Sequence, residues 1–353
     1  VGDVLVVNAG STSLKLYVVT ADGESRRVRA LEDVDAAALD CVAHRVVHGG
    51  DRFRDPVVVD DGVRAELERL EPLAPLHNAP ALRELDAARE RFPRLPHVAV
   101  FDTAFHATIP PAAATYAVPR QWREEWGVRR YGFHGLSVAW SVERAPEVVA
   151  RPAAGLRLVV CHLGGGSSVT AVADGRSVDT TMGFSPNEGV PMATRSGSVD
   201  PGALVAVLRR SGMGADALDH VLNEESGMRG LAGGDGLELE LERRAGEGDE
   251  AARLAVDVYV HRVAGAVAAM AAAAGGLDVL VFTAGIGERS SHVRERVCGR
   301  LGFLGVEVDP ALNGGDGDRD VAAAGSPVRV AVIRAREELV AARAARAVMR
   351  RRG

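Results

Sequence analysis

The sequence predicts an α/β protein built from two related domains, and three observations carry that prediction. The first is Leu158–Gly175. There an apolar, β-branched run stops at three consecutive glycines, meets Ser167 and Ser168, and resumes as an alternating run ending at Asp174-Gly175. This is the pattern of a β-hairpin with a glycine-rich turn. The second is a similar stretch at Val4–Gly23, with Asn8 where the other has His162, then Gly and Ser, a second strand and again Asp-Gly. Two such copies point to an internal duplication. The third is length, since 353 residues suffice for two domains with a core each. Turns without a Cβ let successive N–H groups converge on an anion, phosphate above all. Two domains that each offer one suggest a cleft holding a phosphate chain.

Composition narrows the class. Hydrophobic content of 47% with 25% charged residues is that of a soluble globular chain. A formal charge of −6 argues against nucleic acid as the main partner. Cys41, Cys161 and Cys298 are an odd, unclustered set that fits free thiols in a reducing cytoplasm. No signal-peptide pattern opens the chain. The most apolar helical stretch, Val263–Gly276, is expected to be a core helix too short to span a bilayer, so no membrane partner is expected. Lys15 is the single lysine among 42 basic residues, and it stands beside the first glycine turn.

In chain order, the acidic, alanine-rich Leu31–Leu39 predicts a short helix, and Cys41–Gly50 a strand running into a Gly-Gly turn. Arg45 in that strand needs an anionic partner, because an unpaired interior charge is very costly. That partner is either a carboxylate of the fold or an anionic substrate held by the planar guanidinium. Asp61–Leu70 and Pro80–Phe92 read as amphipathic helices, separated by a proline-fixed loop over 72–80 that carries Leu76 and His77. His97–Phe101 is a buried strand that ends at Asp102. A carboxylate there is placed for chemistry, since α/β sheets bind ligands at the carboxyl edge, or it caps the next turn. Gly132 and Gly135 bracket Phe133 and His134 on a tight loop ahead of a helix over 137–150. After the second hairpin, 180–202 is long and turn-rich and carries Arg195. Long irregular stretches inside compact domains are usually functional. Helices are expected over 201–211 and 215–224, then a glycine-rich loop over 226–236. A helical stretch over 237–276 is broken near Gly246-Glu247-Gly248. Residues 277–290 give a third buried strand meeting a Gly-x-Gly turn that opens a helix over 288–300, a pattern suited to an anion or nucleotide. Val328–Ile333 is the last strand, and a basic helix follows Arg336-Glu337-Glu338. Walker, zincin, nucleophile-elbow and metal-type Cys/His motifs are absent.

Glycine turns, strand-end carboxylates and arginines suit phosphoryl transfer, which needs charge neutralisation and in-line positioning rather than a covalent device. Arg45 and Arg195 are candidate charge clamps. Asn8, Asp102 and Glu337 are hard-oxygen candidates near a Mg²⁺.

These residues resemble a known family. N-A-G-S-T-S-L-K, H-R-V-V-H-G-G, A-P-L-H-N-A-P, V-F-D-T-A-F-H, Y-G-F-H-G, C-H-L-G-G-G-S-S, M-A-T-R-S-G-S-V-D-P and F-T-A-G-I-G-E occur in the order seen in acetate kinases, with a weaker match at R-E-E-L. The resemblance implies the acetate- and sugar-kinase/Hsp70/actin fold, two ribonuclease H-like domains of mixed sheet flanked by helices around an interdomain active-site cleft. Residues 1–105 plus 337–353 would form the first domain and 106–336 the second, with the nucleotide side and the homodimer contact in the second. It implies reversible transfer from ATP to acetate or propionate, giving acetyl phosphate and ADP, with Mg²⁺ (or Mn²⁺) as cofactor. Carried over by position, Arg45 would bind the acetate carboxylate, Asp102 would be essential near the metal, and His134 and Arg195 would stabilise the transferring phosphoryl. Asn8 and Glu337 would serve the metal, directly or through water. Val47, Leu76, Phe133 and Pro186 would form a small pocket for the methyl group. Ser11, Ser13 and Lys15 would approach the phosphates. His162, Leu163, Gly164, Gly165 and Gly166, with Asp235 and Gly285, Ile286, Gly287, Glu288 and Arg289, would line the nucleotide.

Four departures fall on that nucleotide or metal side. Gly165 replaces the family's asparagine, as in the related butyrate kinases. The Asp-x-Arg segment is reduced to Gly233-Gly234-Asp235-Gly236-Leu237. Arg289 stands for an asparagine, and Arg334-Ala335-Arg336 for Pro-Thr-Asn. The segment between the first hairpin and Cys41 is also much shorter than usual for the family. Two other readings are a butyrate-type acyl kinase, or an acetate kinase with an altered phosphate donor. A reading of another class is a non-catalytic cleft-binding protein.

Overall fold

The computed structural model describes residues 2–9, 14–71 and 75–352. The first apolar runs form β1 (Asp3–Ala9) and β2 (Leu14–Val19), paired antiparallel, with β3 (Ser25–Val28) antiparallel on β2. β4 (Leu39–Val46), β5 (Val57–Val58) and β6 (His97–Phe101) complete the sheet, in the order β3-β2-β1-β4-β6-β5. β1, β4 and β6 run parallel, and β5 is antiparallel at the edge. Parallel strands covered on both faces read as continuous apolar runs, as β4 and β6 do. Alternation sorts β1: Val4 and Val6 pack under Ala341, Ala342 and Ala345 of the C-terminal helix Glu337–Arg352. Leu5 and Val7 face Ala88 and Phe92, at the end of the helix Pro75–Arg91, on the other side.

A second sheet repeats the plan. β7 (Arg157–Leu163), β8 (Ser167–Ala173) and β9 (Arg176–Thr180) form an antiparallel meander. β10 (Val279–Thr283), β11 (Arg319–Asp320) and β12 (Arg329–Val332) follow, with β7, β10 and β12 parallel and β11 antiparallel. The order β9-β8-β7-β10-β12-β11 matches the first sheet strand for strand. The duplication inferred from two hairpins therefore extends to all six strands of each sheet.

The chain divides into two compact units: Val1–Thr108 with Tyr116–Trp140 and Arg336–Gly353, and Ile109–Thr115 with Ser141–Ala335. Residues 106–108, 116–140 and 336, expected in the second domain, cluster with the first.

Several elements differ from expectation. Leu31–Leu39 is two 3₁₀ turns, Leu31–Asp33 and Ala36–Ala38, because Asp35 leaves the helical path to accept from the Ala37 amide. The helix expected from Pro80 begins at Pro75, so Leu76 and His77 lie in its first turns, not in a loop. The 226–236 loop contains a short helix, Gly227–Ala232. The Gly-x-Gly turn after β10 is itself helical, Ala284–Arg289, followed by the helix Ser291–Gly299. The alanine-rich stretch is part of a 24-residue helix, Glu250–Ala273, which by length and composition could cross a membrane. Asp249 starts it by accepting from the amides of Ala251 and Ala252. Its Ala252, Val256, Val260, Val263, Val267 and Ala271 recur at helical spacing and are buried against the second sheet.

Candidate active site

In the first unit the candidate residues Asn8, Arg45 and Asp102 gather at the carboxyl ends of three adjacent parallel strands. Asn8 lies near the end of β1 and pairs in register with Arg45 near the end of β4. Asp102 follows β6, its amide donating to the Val46 carbonyl at 3.1 Å. Arg45 donates through Nε to Asp102 Oδ1 at 3.0 Å and through Nη2 to Oδ2, a bidentate pair. Its Nη1 donates to Asn8 Oδ1 at 2.9 Å and stands 3.8 Å from Glu337 Oε2. Asn8 Nδ2 donates to that same Glu337 oxygen at 3.1 Å. One chain of polar contacts thus runs Asp102–Arg45–Asn8–Glu337, and of the two sequence alternatives for Arg45 a carboxylate of the fold is its partner here. Asp102 is 1% exposed. Burial pushes its carboxyl up, against the pull of Arg45. Burial works against the charge on Arg45, but Asp102 and Glu337 more than offset it and hold the guanidinium charged.

The loop carrying His134 is locked to Asp102. The Gly135 amide donates to the Asp102 carbonyl at 3.0 Å, and a Cβ on Gly135 would lie 2.1 Å from that oxygen. No side chain fits there. His134 adopts φ 60°, unusual for a residue with a Cβ, and its amide donates to the Asp102 carboxyl. Phe133 is buried, and its carbonyl accepts from His106 Nε2 at 2.8 Å. Burial lowers His106 to about 4, so this ring is neutral. Val47 is buried beside Arg45's strand. Lys15 is exposed on β2, in register with Asn8. Ser11 and Ser13 lie outside the described residues, as does the side chain of Leu76.

In the second unit four segments converge. The turn 164–166 joins β7 to β8, with the Gly164 amide donating to the Gly166 carbonyl at 2.9 Å. None of the three glycines has a positive φ, and a Cβ on Gly165 would meet nothing within 4 Å. The backbone does not demand glycine at 165; the residue leaves space instead. Gly164 abuts the start of the helix Ala284–Arg289, its Cβ position lying 3.7 Å from Ala284 Cβ. The Gly165 carbonyl accepts from Ala193 at 3.3 Å, and Gly236 packs against the Ala193 carbonyl, where a Cβ would lie 2.2 Å away. Asp235 is exposed on that turn. Arg195, two residues past Ala193, donates to the Pro186 carbonyl at 3.4 Å and lies 4.0 Å from Met192 Sδ. Burial lowers its pKa. His162 is buried at the end of β7, opposite Thr283. The Arg289 guanidinium folds back over Gly285, and Glu288 Oε1 accepts from the Ala335 amide at 3.0 Å.

Three supporting residues escaped the sequence reading. Asn78, fully buried, accepts from the His48 amide at 3.1 Å and donates to the His48 carbonyl at 3.2 Å. The His48 ring packs edge-on against Tyr131 and Phe133. Asn78, His48 and His106 all lie inside the quoted motifs, and a buried polar residue in an apolar run was the signal.

A family model described as the acetokinase family matches residues 27–343. The chain belongs to the acetokinase family. Among curated relatives, an acetate kinase of Leifsonia xyli subsp. xyli is 44% identical over 97% of this chain and 98% of its own. One from Deinococcus deserti is 48% identical over 87% of this chain and 78% of its own. Among solved structures, a propionate kinase from Francisella tularensis subsp. tularensis superposes with TM-score 0.91 at 31% identity, covering 98% of this chain and 99% of its own. Porphyromonas gingivalis acetate kinase superposes with TM-score 0.87 at 33% identity, covering 99% and 100%. The family match spans Arg45, Asp102 and Glu337 of the first-unit network and Gly165, Asp235, Arg289 and Arg334–Arg336.

Proposed function

We propose that this acetokinase transfers the terminal phosphoryl group of ATP to a carboxylate oxygen of acetate or propionate, reversibly, releasing the acyl phosphate and ADP. The observation that carries the reading is the Asp102–Arg45–Asn8–Glu337 network at one sheet edge, in a chain of this family. In-line transfer needs fixed charge around the equatorial oxygens and a fixed acceptor. Arg45 would hold the acceptor carboxylate, with Asp102 fixing the plane of its guanidinium. His134 and Arg195 would contact the phosphoryl in flight. Val47, Leu76, Phe133 and Pro186 would enclose the acceptor's methyl end, and such a pocket separates acids differing by one methylene by only about 1–3 kcal/mol. His162–Gly166, Gly285–Arg289 and Asp235 would receive the nucleotide, and Ser11, Ser13 and Lys15 its phosphates.

Mg²⁺ fits the oxygens present. Glu337 contributes a partly exposed carboxylate and Asn8 an amide oxygen that already accepts from Arg45, so Glu337 would bind directly and Asn8 through water. The ion would supply charge neutralisation on the donor's phosphate oxygens. A cytoplasmic location agrees with three buried free thiols, and a homodimer completes the reading.

The departures at Gly165, Asp235–Leu237, Arg289 and Arg334–Arg336 support a shifted phosphate-donor preference with acceptor chemistry retained. Trapping the product as hydroxamate, across acetate, propionate and butyrate and across ATP, GTP and pyrophosphate, tests both parts. Acetyl phosphate from at least one donor is expected. No hydroxamate from any pair would leave the cleft-binding alternative, and ordinary ATP affinity would remove the donor shift.

A further inference from the structure

Arg294 is 1% exposed, the largest of the fully buried side chains, and none of the family-bearing motifs contains it. A guanidinium carries five donors in a rigid plane and keeps its charge in a protein. Burying it is costly unless oxygens meet those donors. Here Nη1 donates to the carbonyls of Gly287 at 2.9 Å and Glu288 at 3.0 Å. Nε donates to Asn313 Oδ1 at 2.8 Å, and Nη2 to the Asn313 carbonyl. Asn313 is 2% exposed and donates through Nδ2 to the Ser291 carbonyl at 2.8 Å. The far side of the same segment is tied by Glu288, whose carboxylate accepts from the Ala335 amide.

The segment so held needs outside support. Ala284–Arg289 is six residues long, well short of a helix that sustains itself. It contains Gly285 and Gly287, which disfavour helix relative to alanine, and it begins with Ala284 at φ 65°. Yet Gly285 must stay beside Gly164 for the two glycine segments to make one surface.

We infer that Arg294, backed by Asn313, is a positioning residue for the phosphate donor: it holds Gly285–Glu288 where the nucleotide is received. The inference rests on the donor assignment under Proposed function. A purely structural Arg294 would lower stability and change both substrates' constants together or neither. A positioning Arg294 changes one of them.

The test is steady-state kinetics on wild type, Arg294→Met, Arg294→Lys and Asn313→Ala, each checked for folding by circular dichroism. R294M is expected to raise KM for ATP about tenfold while KM for acetate stays within about twofold, with R294K intermediate because an ammonium reaches some of the same carbonyls. N313A keeps the guanidinium but removes its Nε acceptor, and it is expected to raise KM for ATP less, in the same one-sided way. If R294M does not fold, N313A decides by the same split. Unchanged constants in the folded variants, or a parallel rise for both substrates, overturn the inference. A wild type inactive with every donor would instead overturn the functional reading itself.

Discussion

Asp102 gathers more of the first unit's site than any other residue. Its carboxylate takes two donors of Arg45 and the His134 amide, and its own carbonyl pins Gly135. Neutralising Asp102 breaks a buried, bidentate pair and leaves Arg45 with only the longer 3.8 Å approach of Glu337, at a cost of about 3 kcal/mol. D102N should therefore melt at lower urea and lose at least about a hundredfold in kcat. A variant with normal turnover would detach Asp102 from the chemistry. G135A acts on the backbone alone. With a Cβ position 2.1 Å from the Asp102 carbonyl, the loop must move, at about 3 kcal/mol, and activity should fall with it. Gly165 is the opposite case. A side chain there enters open space without backbone strain, so G165N should change stability by no more than about 0.5 kcal/mol. Its effect should appear in KM for ATP, and an unchanged KM would separate this glycine from donor choice.

The helix Pro75–Arg91 is held to the segment just after β4 by Asn78, which pairs with both backbone groups of His48. Alanine at 78 would strand a buried N–H and a buried carbonyl, a loss of about 2 kcal/mol. Because His48 follows Val47 and Arg45, N78A is also expected to raise KM for acetate more than for ATP. Equal effects on both substrates would contradict that link. What the sequence made legible at this scale follows from which forces are local. Both hairpins, β4, β6 and β10 were readable because β-branched, apolar runs between turn residues have few other uses. Asn8, Arg45 and Asp102 could be placed at strand ends for the same reason. The helix start at Pro75 was not readable, since Pro80 one turn later reads as a breaker, and a proline in the first turns of a helix is decided by tertiary packing. Nor was the helical state of Ala284–Arg289, whose glycines signal a turn while Arg294, distant in pattern, holds the carbonyls. The bond between Arg45 and Asp102 joins residues far apart in sequence, and only strand order makes them neighbours.

The two six-stranded sheets share one topology but bury different polar groups. The first unit buries a His44–His97 pair and, apart from it, His106. His44 Nε2 lies 2.9 Å from His97 Nδ1, and His97 Nε2 lies 3.2 Å from the Phe92 carbonyl. His106 Nε2 donates to the Phe133 carbonyl. Desolvation lowers all three, His44 well below 6.5 and His106 to about 4. A histidine held neutral in the fold takes up its proton more readily when unfolded. The unfolded state therefore binds more protons over the range between about 4 and 6.5, and stability falls as pH drops through that range. Above 6.5 the contribution is complete. For His106, 2% exposed, the full span is worth about 3 kcal/mol, and acidification to pH 5 removes about 2 kcal/mol of it. Glutamine at 106 can still donate to the Phe133 carbonyl but does not titrate. Urea unfolding of wild type and H106Q at pH 7.5 and pH 5 should give a smaller acid loss in the variant. Equal acid losses in the two proteins would mean that His106 is not held neutral, and the tie from its ring to the loop of Phe133 and His134 would have to be redrawn.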